Sequence, residues 1–185
     1  MELVMPIKDK SKIEAMKQEL LKQSYRDYMI FVFGCNCGLR ISDIIDLKVS
    51  DVKNRRYIEL REQKTNKNKM FPISGQFKVE IDKYIQGMND SDYLFTSRQT
   101  CKDGTKKNIT RVQAYRSLKQ IADRLKIEHF GLHSMRKSFG FFYYEATGDL
   151  VKLMDMFNHS SLAITKRYIG ITQDELDESL EGFFI

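Results

Sequence analysis

The sequence predicts a mainly α-helical fold with one small antiparallel β-sheet, in the α+β class. Three observations predict it. Apolar residues recur at helical spacing through most of the chain, period-two alternation is confined to about residues 57–73, and 185 residues with 42% hydrophobic content suffice for a packed core without disulfide staples. The charged fraction of 30% is that of an ordinary globular chain, and the length fits one domain.

The elements follow in order. Residues 9–23 form a helix, with Ile13, Met16, Leu20 and Leu21 apolar among Lys and Glu. Residues 25–35 form a second, mostly buried helix, with Gly34 and Gly38 marking its end and the turn beyond. Ser42 caps a short helix through Leu47. Tyr57–Arg61 and Met70–Ile73 pair as a hairpin joined by the Lys-rich loop Gln63–Lys69. A helix follows over Gln76–Gln86, then a short extended piece at Asp92–Phe95 and a polar, basic loop over Gln99–Asn108. Thr110–Lys126 is amphipathic, with Val112, Tyr115, Leu118, Ala122 and Leu125 on one face. A helix from near His133 stops at Thr147 before Gly148, Asp149 caps the next through Phe157, and Ser160 or Ser161 opens one that leads to Tyr168. The tail, Gln173–Phe183, is acidic with Leu176, Leu180 and Phe183 at helical spacing. Phe139, Phe141, Phe142, Tyr143 and Tyr144 read as packing residues.

Composition narrows the function classes. The longest apolar stretch, Tyr28 to Cys35, is too short to span a bilayer, and no membrane partner is expected. The N-terminus has no secretory pattern, and Cys35, Cys37 and Cys101 are an odd count, so a reducing cytoplasm is expected and the cysteines read as plain thiols. Net charge is +6, but residues 171–185 hold five acids and no base. Residues 1–170 therefore carry 31 bases against 20 acids, or +11. Such a basic body fits either a polyanionic partner, nucleic acid first, or a solvated surface.

Several residues stand out for chemistry. His133 and Arg136, three apart at the start of a helix, share one face beside free backbone N–H groups, an arrangement that suits an anion but is weak evidence alone. Arg40 follows Gly38-Leu39 at a chain reversal among apolar neighbours, a context that favours a specific anionic partner over plain exposure. His159 and Tyr168 lie nine residues apart, with Tyr143 and Tyr144 equally plausible tyrosines on composition alone. Lys64, Lys67 and Lys69 crowd the hairpin loop, where a solvated tip is the mundane reading.

Taken together the set changes character. Gly38-Leu39-Arg40-Ile41-Ser42-Asp43, then Gln63-Lys64-Thr65 between two strands, then His133-Ser134-Met135-Arg136-Lys137-Ser138-Phe139, then His159-Ser160-Ser161 and Arg167-Tyr168 resemble, in order and spacing, the catalytic domain of the tyrosine recombinase (phage-type integrase) family. The resemblance spans about residues 10–170. It implies that family's catalytic-domain fold over residues 1–172, with residues 173–185 a tail exchanged between subunits or folded on its own domain. It also implies roles. Arg40 and Arg136 clamp the non-bridging oxygens of one DNA phosphate, Lys64 protonates the departing 5′ oxygen, and His133 is the acid/base partner. His159 donates a hydrogen bond to the phosphate, Tyr168 is the nucleophile, and Asp43 is the acid that orients the site.

The implied activity is site-specific recombination (integration, excision or inversion) through a 3′-phosphotyrosine link, with neither metal, ATP nor other cofactor. Two guanidinium forks suit an anionic transition state, and the sequence offers no carboxylate constellation for two-metal chemistry. The implied partners are double-stranded DNA, a homo-tetramer formed on it, and an accessory DNA-bending protein, in a bacterial or phage-encoded system. Lys67, Lys69, Arg111, Arg116 and Lys119 are candidate phosphate contacts, though a solvated face fits the helix residues nearly as well.

The sequence departs from the pattern in two places. Phe157-Asn158-His159 stands where the family usually shows Leu-Gly-His, and Asn tolerates the left-handed backbone a Gly would supply. Many members also carry an N-terminal helical core-binding domain. Only residues 1–24 precede the second helix, so that domain is expected to be absent. The alternatives are a non-catalytic DNA-binding regulator on the same fold and a type IB topoisomerase-like activity.

Overall fold

The computed structural model describes residues 3–61, 68–73, 75–100 and 106–172. Lys64, Lys67 and the acidic tail therefore lie outside the described residues. Helix α1 (Lys10–Gln23) starts at Asp9, whose carboxylate accepts the Ser11 amide at 2.7 Å. It buries Ile13, Met16 and Leu20, while Leu21 faces out. Helix α2 (Tyr25–Cys37) runs past Gly34 and ends at Gly38, a left-handed cap with φ of 56°. Gly34 is internal because α2 presses on a later helix there: a Cβ on Gly34 would sit 2.7 Å from Met135 Cβ. The glycine expected to end the helix instead allows a close crossing.

Helix α3 (Ile41–Ile45) begins one residue before the expected cap. Arg40 holds the capping position with extended backbone and no side-chain cap, and Ser42 lies in the first turn. Strands β1 (Tyr57–Arg61) and β2 (Asn68–Pro72) pair antiparallel, with Ile58 opposite Phe71 and both side chains in the core. Helix α4 (Gly75–Tyr84) packs Phe77 and Ile81 inward.

Strands flank the loop expected over residues 99–108, so the described residues hold two small sheets and not one. Strand β3 (Thr96–Thr100) pairs with β4 (Lys106–Asn108). Its residues are polar, so the period-two apolar signal is missing. Buried Phe95 and Ile109 anchor the base, with the Ile109 amide donating to the Phe95 carbonyl at 2.7 Å.

Helix α5 (Arg111–Arg124) starts from Thr110, which exchanges a capping box with Gln113. Helices α6 (Leu132–Thr147), α7 (Leu150–Phe157) and α8 (Leu162–Ile169) close the described chain. Asp149 and Ser161 cap the last two through the Lys152 and Ile164 amides. The larger core joins α1, α2, α4, α5 and the first hairpin, and a smaller one gathers Phe141, Leu150, Leu153, Phe157 and Ile169 beneath α6–α8. Phe139, Phe142, Tyr143 and Tyr144 pack against these cores, as expected. No helix among the described residues is long and apolar enough to cross a membrane.

Candidate active site

The site forms where α6 passes between the two cores. Gly34 lets α2 approach Met135, and Gly140 lets Phe157 and Ile169 approach α6, since a Cβ there would meet each at 2.7 Å. Arg136 sits between these two close crossings and is 3% exposed. Its Nη1 donates to the Gly38 carbonyl at 2.5 Å and its Nη2 to the Phe157 carbonyl at 3.2 Å. Its guanidinium carbon lies 4.4 Å from the Phe157 ring centre. Two of the five donors of the fork are thus held by main-chain oxygens, which fixes its plane. Gly38 cannot be replaced without cost. Beyond its left-handed backbone, an added Cβ would lie 2.5 Å from the Phe139 ring.

Arg40 enters from the turn before α3, with Nη1 buried. Buried Asp43 lies one turn on. The Cys37 thiol feels the charges of both Asp43 and Arg136. Burial pushes the Cys35 and Cys37 thiols up to about 12, so both stay protonated, as expected of plain thiols. Cys101 lies outside the described residues.

His159 follows α7 through Asn158, whose φ of 55° and ψ of 45° are left-handed. The Asn in place of Gly therefore preserves the turn, and the His159 amide closes it on the Met154 carbonyl at 3.0 Å. Tyr168 lies two residues before the left-handed Gly170 that ends α8. Its ring meets His159 edge-on at 4.9 Å and Phe157 at 5.3 Å between centres. Its hydroxyl lies 3.4 Å from His133 Nδ1. Of the other two candidates, Tyr143 packs on Phe139 and Tyr144 packs against the smaller core.

The electrostatics tie these groups into one cluster. Burial raises the Tyr168 phenol, while the Arg136 guanidinium, as a charge and a hydrogen-bond donor, and Arg40 pull it back. Burial lowers His133, and Arg136, Arg111, Lys137 and Arg40 lower it further. Burial likewise brings His159 down to about 4, helped by Arg136, Arg40 and Lys69. Arg136 and Arg40 thus act on all three groups. The positive end of α6 reinforces the effect at His133, in its first turn. The result is a neutral imidazole beside a phenol, in a field that favours anions.

The candidate cations divide. Arg111, at the start of α5, is near enough to act on His133. Arg116 is exposed on the same helix. Lys119 pairs with Asp123 at 2.5 Å. Lys69 reaches from β2 to the Met156 carbonyl at the end of α7, bracing the turn that carries His159.

Two features escape the sequence reading. Lys137 places its ammonium 5.1 Å from the centre of the Tyr168 ring and donates to the Val4 carbonyl at 2.7 Å. Its adjacency to Arg136 was the one available signal. The second is the strap of residues 4–8. The Met5 amide donates to the His129 carbonyl at 3.1 Å and the Ile7 amide to Ser138 Oγ at 2.7 Å. Lys8 Nζ donates to the Gly170 carbonyl at 2.8 Å. The strap thereby ties α6 to the end of the tyrosine-bearing helix, and nothing in its composition signals that contact.

A phenol with a neutral imidazole beside it and two arginines in reach has the chemistry that nucleophilic attack on an anionic centre requires. One pH effect follows. DNA cleavage is expected to rise with pH as His133 loses its proton, because only the neutral ring can accept the phenol proton. In single-turnover assays from about pH 5 to about pH 8, His133→Gln should lose this acid limb and react on the order of a hundredfold more slowly. An unchanged limb would exclude His133 as the base.

Comparisons with known proteins bear on the family and the fold. The chain is 43% identical over 174 residues to the Bacillus subtilis (strain 168) protein named Probable integrase/recombinase YoeC, covering 94% of this chain and 93% of that one. The crystal structure of XerA recombinase superposes with a TM-score of 0.75 at 19% identity, over 96% of this chain and 64% of that one. The post-cleavage complex of the XerH site-specific recombinase with palindromic difH substrate gives a TM-score of 0.73 at 18% identity, over 98% of this chain and 53% of that one. The chain thus spans nearly all of its Bacillus relative but just over half to two thirds of the two solved chains. Residues 8–175 match the phage integrase family, and the chain belongs to that family.

Proposed function

We propose that this chain catalyses site-specific DNA recombination by cutting and rejoining strands through Tyr168. The observation that carries the reading is the Tyr168 hydroxyl 3.4 Å from His133 Nδ1, in the field of Arg136 and Arg40. Arg40 and Arg136 hold the non-bridging oxygens of the scissile phosphate and Asp43 orients the site. Tyr168 Oη attacks phosphorus as its proton passes to His133. The bond from phosphorus to the 5′ oxygen breaks, and that oxygen takes a proton from Lys64. The tyrosine–phosphate ester keeps the phosphodiester bond energy, so a 5′-hydroxyl from another strand reverses the step without ATP. The cationic cluster does the charge stabilisation that a metal supplies elsewhere.

The substrate is double-stranded DNA, in keeping with the named XerH–difH complex. The assembly is a homo-tetramer on DNA, joined by the tail of residues 173–185, with an accessory bending protein as an optional component. The compartment is the cytoplasm, where the thiols stay reduced. Lys67, Arg111, Arg116 and Lys119 contact phosphates along the duplex.

Because phosphate contacts dominate such binding, affinity is expected to fall about 10³-fold or more between about 50 and 200 mM salt. Fluorescence anisotropy with a labelled duplex measures it, and a flat response contradicts DNA as the substrate. A plasmid assay separates the related activities. Exchange between two sites supports recombination, whereas relaxation of a one-site supercoiled plasmid without exchange supports a topoisomerase-like activity.

A further inference from the structure

Thr165 lies in the middle of α8 and is fully buried, and the cleavage chemistry above makes no use of it. Its Oγ1 is 3.0 Å from His159 Nδ1 and 3.2 Å from the Ser161 carbonyl one turn back. A threonine hydroxyl has one hydrogen to give. If that hydrogen goes to Ser161, the oxygen still accepts from an Nδ1–H, and both contacts are hydrogen bonds. If it goes to Nδ1, the Ser161 contact is lost. The first arrangement makes two bonds where the second makes one.

We propose that Thr165 is a positioning residue for His159, holding the ring as the Nδ1–H tautomer with Nε2 bare. His159 then becomes a donor to a DNA phosphate only by taking up a proton as DNA binds. The second statement rests on the cleavage reading, which puts the phosphate in this site; the first does not.

The surroundings favour this arrangement. His159 faces Arg136 from α6, Arg40 from the turn before α3, Lys69 from β2 and the Tyr168 ring from α8. Without DNA, burial and these three cations keep the ring neutral at pH 7, and a bare nitrogen lone pair suits a positive field. A phosphodiester neutralises that field and offers an anionic acceptor, so the proton returns. The phosphate itself thereby creates the donor that binds it. Most neutral histidines in water carry their proton on Nε2, so the hydroxyl at Nδ1 has a consequence that a spectrum reads directly.

Thr165→Val keeps the size and removes the acceptor, leaving the ring to take the Nε2–H form. Thr165→Ser keeps the hydroxyl. Long-range proton–nitrogen spectra of the imidazoles, recorded near pH 7 on DNA-free protein, report the tautomer. His159→Gln assigns the signal among the three histidines. The expected result is Nδ1–H in the wild type and in Thr165→Ser, and Nε2–H in Thr165→Val. Nε2–H in the wild type, or Nδ1–H retained in Thr165→Val, overturns the proposal.

The rate of covalent adduct formation on a nicked duplex carrying the cleavage site supplies the second readout. In the wild type it should fall at alkaline pH as His159 in the complex loses its proton. Thr165→Val should lose that limb and react about tenfold more slowly at its optimum, with Thr165→Ser restoring both. An alkaline limb unchanged in Thr165→Val overturns the proton-uptake statement. An Nδ1–H spectrum together with no wild-type adduct at any pH supports the tautomer assignment and overturns the cleavage reading instead.

Discussion

Tyr168→Phe is expected to form no covalent protein–DNA adduct while binding duplex DNA within about twofold of the wild type. The substitution removes one oxygen from a ring packed edge-on against Phe157 and His159, and those contacts involve the ring and not the hydroxyl. The hydroxyl lies against His133 and the Arg136 side chain. Loss of a nucleophile leaves no alternative path to a tyrosine–phosphate bond, so the effect is absolute and not graded. Gel analysis of denatured reactions measures the adduct and anisotropy measures binding. Full biological effect kept by Tyr168→Phe would favour the non-catalytic regulator.

The second large effect belongs to Arg136, where activity and stability separate by substitution. Arg136→Lys retains a charge but loses the planar fork that serves the Gly38 and Phe157 carbonyls together. Adduct formation should fall about 10²- to 10³-fold, the usual effect of removing one oriented donor to a developing anion. Arg136→Ala also leaves two buried carbonyls without their donor and empties space beside Phe157. It is expected to destabilise the fold by about 3 kcal/mol, read from urea denaturation. Arg136→Lys with a rate within threefold of the wild type would mean that the fork does not hold the phosphate.

Much of this site was legible in the sequence because its parts are fixed by local rules. His133 and Arg136 fall on one helical face by spacing alone, and Asp149 and Ser161 announce the helices that deliver His159 and Tyr168. Asn158 could be assigned its left-handed turn from the chemistry of its side chain. What stayed hidden depends on contacts between distant segments. Gly34 looks like a helix terminator until Met135 is seen against it. The 96–108 hairpin lacks apolar alternation and is anchored from its flanks at Phe95 and Ile109. Lys137 and Lys8 gain their roles from carbonyls far away in sequence, at Val4 and Gly170. By sequence Lys69 reads as a phosphate contact or one more cation of a solvated loop, yet it reaches the Met156 carbonyl beside the His159 turn. Hydrophobic period and capping residues carry no record of such pairings.

In the proposed reaction Tyr168 becomes bonded to a DNA 3′ phosphate. The most direct measurement is to express the protein in a bacterial host, denature cells rapidly in detergent, recover protein-linked DNA and digest both components. Mass spectrometry of the remaining peptide then identifies the linked residue, and end-labelling identifies the polarity. The expected product is a nucleotide attached through its 3′ phosphate to the peptide containing Tyr168, opposite a free 5′-hydroxyl. A link to any other residue, a 5′ attachment, or adducts that persist in Tyr168→Phe would contradict it.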